Sequence, residues 1–162
     1  MKLFNAIAAA TVAALSITAP AQAAPTRGEA LINALTTSIE ATGTRIVADA
    51  PRICKDKNTL GMYEFEDKVI DQLTLCVDNH NGDNRELLDT FLHETVHMVQ
   101  TCKGGAIFTA GSILSKAHEK EIDFVAKNYS KDDFHLEMEA RVIAADLNVP
   151  FVTSLINKYC FE

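Results

Sequence analysis

The stretch NRELLDTFLHETVHMVQTCKGG, residues 84–105, decides how the chain is read. Leu88, Leu92, Val96 and Val99 follow helical spacing and form one apolar stripe, while Asp89, His93, His97 and Gln100 line the neighbouring face. Asn84 is the expected N-cap, and Glu86 and Asp89 in the early turns suit the positive end of the helix dipole. Gly104-Gly105 supplies the stop, so the pattern predicts a helix over about residues 85–102. On such a helix positions i and i+4 share a face about 6 Å apart along the axis. His93 and His97 therefore present two imidazoles to one point in space, and both can reach one Zn²⁺ at roughly 2.0–2.1 Å. Glu94 is rotated by about 100° and is free to lie beside a bound water instead of acting as a ligand.

Two histidines do not complete such a site. A third histidine in the pattern HExxHxxGxxH is ruled out, because MVQTCKGG follows His97 and position 103 is lysine. A later glutamate is the other common completion, and FHLEMEARVIAADLNVP, residues 134–150, offers two. Spacing there suggests a buried stripe of Met138, Val142, Ala145 and Val149, with Glu139 beside it next to Ala140 and Ile143. A carboxylate flanking apolar residues is costly unless it is paired or bound to metal. Glu137, one turn-fraction away, stays open as the alternative.

His-Glu-Thr-Val-His at 93–97, followed about forty residues on by Glu-Met-Glu-Ala-x-x-x-Ala-Ala-x-Leu-x-x-Pro, resembles the zincin-like metallopeptidases. The second helix is most similar to that of the ImmA/IrrE-type peptidases, with Ile143 where that family favours Phe, and Asn148-Val149-Pro150 in place of Leu-Met-Pro. The resemblance covers two helices, about a third of the chain beyond residue 23. It implies one Zn²⁺ per chain held by His93, His97 and Glu139, with Glu94 as general base for peptide hydrolysis by an activated water. His135, Tyr129 and Tyr159 are the candidates for a further donor to the oxyanion. Asp89, one turn before His93, is a candidate acceptor for that ring's second nitrogen, while His80 and His118 read as surface residues. The rival function class is a non-catalytic binding or structural protein on the same frame, and zinc-dependent hydrolysis of a non-peptide amide would use the same residues.

The rest of the chain sets the context. Residues 1–23 read as a signal peptide, with Lys2, an uncharged apolar run from Ala6 to Ile17, and the cleavage pattern Ala21-Gln22-Ala23. A single domain over 24–162, exported to the periplasm or beyond, is the expected product. Four cysteines, an even number, fit two disulfides in such a compartment. Of three possible connectivities we favour Cys76–Cys102 with Cys54–Cys160. A cysteine zinc site is disfavoured because no CxxC pair is present. The net charge is −7, which argues against nucleic acid or anionic membranes as partners; the resemblance implies a peptide or protein substrate, and a monomer is expected.

Helical spacing over 28–42, β-prone runs at 44–48, 62–66 and 72–77, a hairpin turn at Asp67-Lys68, one helix or a broken pair over 106–127, and helical segments over 134–149 and 150–157 complete the reading. The order predicts an α+β, zincin-like plan, with a small antiparallel or mixed sheet packed on the metal helix and helices after it.

Overall fold

The computed structural model describes residues 26–66 and 70–161; the signal-peptide reading and the Asp67-Lys68 turn lie outside them. Three strands form one mixed sheet: β1 (Arg45–Ala48), β2 (Gly61–Glu66) and β3 (Ile70–Leu75), in the order β1-β3-β2. β3 is central, parallel to β1 and antiparallel to β2, with Tyr63 opposite Leu73. β2 is therefore an edge strand. β3 stops two residues short of the expected end, because Val77–His80 turns into a single 3₁₀ helix.

Among the described residues six helices accompany the sheet: α1 (Arg27–Ala41), α2 (Asn84–Lys103), α3 (Ala110–Leu114), α4 (Glu119–Asn128), α5 (Phe134–Ala145) and α6 (Val149–Tyr159); α1 and α2 pack on it, α5 and α6 on those helices, and α3 and α4 on α5. None of the described helices is long and apolar enough to cross a membrane. Thr26 and Glu29 close a capping box at the start of α1. α2 spans the predicted residues, but Asp83 caps it in place of Asn84, accepting from the amides of Arg85 at 2.9 Å and Glu86 at 3.0 Å. Gly104, at φ 77°, ends it in the left-handed conformation that glycine adopts without strain.

The apolar stripe of α2 becomes the centre of the core. Leu92, Val96 and Val99 are fully buried against Leu35 and Ile39 of α1, Leu73 of β3, Ala140 of α5, and Val152 and Ile156 of α6. α5 departs from the single stripe expected for it. Ala145 is exposed and Val142 half-buried, whereas Met138, Glu139, Ala140, Ile143 and Ala144 are buried. The helix is covered on two sides: Ala140, Ile143 and Ala144 join the main core, while Met138 and Val142 pack with Ile113 and Val125 of α3 and α4. Two faces overlaid on twelve residues blur the periodicity that a one-sided helix would show.

The disulfides are Cys54–Cys76 and Cys102–Cys160, which corrects the expected pairing. Cα separations of 5.2 and 5.0 Å are those of normal bridges. One fastens the loop after β1 to the end of β3; the other joins the last turn of α2 to the end of α6. The packing of α6 along α2 brings Cys160 to Cys102, a long-range arrangement that spacing alone does not encode.

Candidate metal centre

α2 presents His93 and His97 on one turn, with their Nε2 atoms 3.0 Å apart. The carboxylate that meets them comes from α5, and it belongs to Glu137. Its Oε1 lies 3.3 Å from His97 Nε2 and its Oε2 3.5 Å from His93 Nε2. One donor atom from each of the three residues falls within 4.8 Å of the others, the geometry of a group able to hold a metal ion. The residues fit zinc in a specific way. Ligand atoms at 2.0–2.1 Å from a tetrahedral ion lie about 3.3 Å from each other; the two imidazole nitrogens stand 3.0 Å apart, and each has one Glu137 oxygen, a different one, at 3.3 or 3.5 Å. Glu137 Oε2 is also buried with no hydrogen-bond partner, an acceptor that a cation would satisfy.

Electrostatics follow from this proximity. Burial acts to raise the pKa of Glu137, but the close approach and charge of His93 and His97 outweigh it and bring it down to about 2. Burial likewise opposes protonation of His97, and is outweighed by Glu137 and Glu94, so that ring titrates above its ordinary range. Glu94 is buried beside the cluster, and loss of solvation pushes its pKa up against the pull of both histidines. Its Oε2 accepts the backbone N–H of Tyr63 on the edge strand at 2.8 Å. That contact depends on Gly61, where a Cβ would stand 2.7 Å from Thr90 Cγ2 and 3.0 Å from Glu94 Cγ. The glycine lets β2 lie directly on α2.

Glu139 is not at the centre. It is fully buried two residues further round α5, where it accepts from Ile107 N at 2.8 Å, Phe108 N at 2.6 Å and Gln100 Nε2 at 2.8 Å. The sequence argument for it identified a real cost, a carboxylate set against apolar residues, but the compensation is three N–H donors. Those donors also explain why residues 106–109 are not helical: the amides of Ile107 and Phe108 are turned towards Glu139.

The remaining candidates separate cleanly. Tyr129 lines the open cleft of about 640 Å³ over the cluster, with Tyr63, Gly104, Gly105 and Leu136; His135 and Tyr159 do not line it. Asp89 makes no hydrogen bond to His93, and burial raises its pKa. His80 is buried, contrary to its surface reading, with Nδ1 2.8 Å from Cys76 O and Nε2 3.0 Å from Thr90 Oγ1. His118 is exposed and caps α4. Sequence reasoning missed Tyr63 and Gly61, whose roles arise from the approach of strand to helix. Gln100, which accepts at Oε1 from His97 Nδ1 at 2.8 Å, was visible three residues after His97 on the polar line.

An α+β fold with a His-Glu-x-x-His helix facing a carboxylate from a later helix is thus the class that fold and site define. A family model described as a domain of unknown function (DUF8637) matches residues 33–161, and the chain belongs to that family. No curated protein and no solved structure matches it.

Proposed function

We propose that the chain is an exported, zincin-like zinc metallopeptidase, with His93, His97 and Glu137 as the metal ligands and Glu94 as the general base. The observation that carries this reading is the convergence of the three donor atoms beside a buried Glu94. When bound there, zinc supplies a Lewis acid that polarises a carbonyl and lowers the pKa of water towards about 7. Glu94 keeps one oxygen on the Tyr63 amide, which holds its rotamer, and leaves Oε1 to take a proton and return it to the departing amine. The upward push of burial on its pKa brings the group closer to the range in which both transfers run well. Tyr129, on the cleft wall, is the side chain available to donate to a developing oxyanion.

The edge strand gives the substrate a place to lie. Alternation along β2 turns the amides of Gly61, Tyr63 and Phe65 away from β3; Glu94 takes that of Tyr63, which leaves the carbonyls and the flanking amides of the strand for pairing, and the cleft wall includes Gly61, Met62 and Tyr63. An extended peptide can pair there, with its scissile bond over the histidines. The shallow cleft suits an unfolded segment or flexible loop, and the two disulfides suit an oxidising compartment outside the cytoplasm.

Metal analysis of the purified protein beside His97→Ala and Glu137→Ala tests the ligand set. One zinc per chain, lost in both variants, is the expected result; zinc retained without Glu137 removes that residue. Glu94→Gln separates an enzyme from a binding protein, because only hydrolysis of an unfolded protein substrate should disappear while zinc stays.

A further inference from the structure

Gln100 and Glu139 are both buried and polar, and the proposed hydrolysis uses neither. They form one chain of hydrogen bonds that ends on a histidine. Gln100 Nε2 sits 2.8 Å from Glu139 Oε2 and 3.0 Å from the backbone carbonyl of Leu136. Both partners are acceptors, so this end of the side chain must be the amino group. The other end, Oε1, then faces His97 Nδ1 at 2.8 Å and can only accept. A neutral His97 has one N–H, and the amide oxygen claims it for Nδ1. The Nε2 lone pair is left pointing at His93 and Glu137.

We propose that Glu139 is a positioning residue: through Gln100 it sets the tautomer of His97, so that Nε2 is ready to bind metal. The inference rests on the metal-centre reading only for its purpose, since the hydrogen-bond directions hold whether or not an ion is present. Glu139 is well placed for the task because Ile107 N and Phe108 N grip its two oxygens from the other side. The carboxylate cannot turn away without breaking contacts to a separate loop. A flip of the Gln100 amide would set its oxygen against Glu139 and Leu136 O while offering N–H to His97, an arrangement with two repulsive contacts. The geometry thus passes direction, not charge, from α5 to the ring on α2.

The test reads imidazole ¹⁵N shifts of the zinc-free protein at alkaline pH, where the rings are neutral, in wild type, Gln100→Met and Glu139→Met. Wild type is expected to show His97 as the single Nδ1–H tautomer, and both variants a mixture of the two. Zinc affinity, measured by competition with a chromophoric chelator, should fall about 10- to 100-fold in each variant, the usual loss when a ligand's supporting hydrogen bond is removed. A purely structural Glu139, holding only the 106–108 loop, would lower thermal stability without moving the His97 shifts in Glu139→Met, and that result overturns the proposal. Should Glu139→Met fail to fold, the wild-type spectrum still decides: an Nε2–H tautomer at His97 is incompatible with the relay. A fixed Nδ1–H tautomer in a protein that takes up no zinc would support the relay and remove the metal-centre reading.

Discussion

Replacing Gly61 by alanine tests how closely β2 must approach α2 for Glu94 to be held. The added Cβ would lie 2.7 Å from Thr90 Cγ2, 3.0 Å from Glu94 Cγ and 3.2 Å from Thr74 O. Comfortable carbon–carbon contact begins at about 3.5 Å, so the strand must retreat or the helix side chains must shift. Overpacking of this kind costs about 1–3 kcal/mol, and alanine recovers about 0.4–1 kcal/mol by restricting the unfolded chain. The net expectation is about 1–2 kcal/mol of lost stability. Urea unfolding of the zinc-free protein, followed by circular dichroism, should show the midpoint lowered by about 0.5–1 M for a slope near 2 kcal/mol/M. Thr90→Ser removes the nearest methyl while retaining the hydroxyl 3.0 Å from His80 Nε2, so it should relieve part of the clash. The double variant is expected to be more stable than the sum of the single effects by at least about 0.5 kcal/mol. A Gly61→Ala protein as stable as wild type, or strict additivity with Thr90→Ser, would show that the strand does not press on the helix as described.

Three further outcomes can be measured. Because Glu137 and Glu94 hold His97 protonated above its usual range, zinc must displace a proton, and its affinity should fall about tenfold per pH unit below the pKa of that ring; a flat profile between pH about 5 and 8 would contradict the pairing. In the metal-free fold the raised His97 contributes stability that is complete below about pH 6.5 and disappears as pH rises through its folded pKa. Removing the Cys102–Cys160 bridge, which closes 58 residues, should cost about 4 kcal/mol, against about 3 kcal/mol for Cys54–Cys76, which closes 22. Paired Cys→Ser variants in urea measure both, and a reversed ranking would argue that the unfolded chain is not loosened by the longer loop.

Much of the frame was legible because its signals are local. The extent of α2, the pairing of two histidines on one face, and the early sheet followed by helices all come from periodicity, caps and turn residues over short windows. The choice between Glu137 and Glu139 was not local. Both sit on α5 in similar company, and which one faces the histidines depends on how α5 rolls against α2, a rotation set by two apolar faces. The donors that satisfy Glu139 come from a loop more than thirty residues earlier in the chain, a pairing no short window reveals. The disulfides failed for a related reason: pairing follows the docking of α6 on α2, which no sequence spacing specifies. Gly61 had no signal either, since its φ is ordinary and only the neighbouring helix makes a side chain intolerable there.

The three donor residues of the cluster already stand together, one atom of each within 4.8 Å of the others, on helices held by core packing and, for α2, by a covalent tie to α6. If the cluster takes zinc as proposed, loading and folding are separate events, unlike small domains whose folding is driven by the ion itself. A chelator should strip the metal and leave the far-ultraviolet spectrum untouched, and the empty protein should refill in a single bimolecular step without refolding. On the proposed reading, such a chain would mature in a zinc-poor compartment and become competent where the ion is supplied.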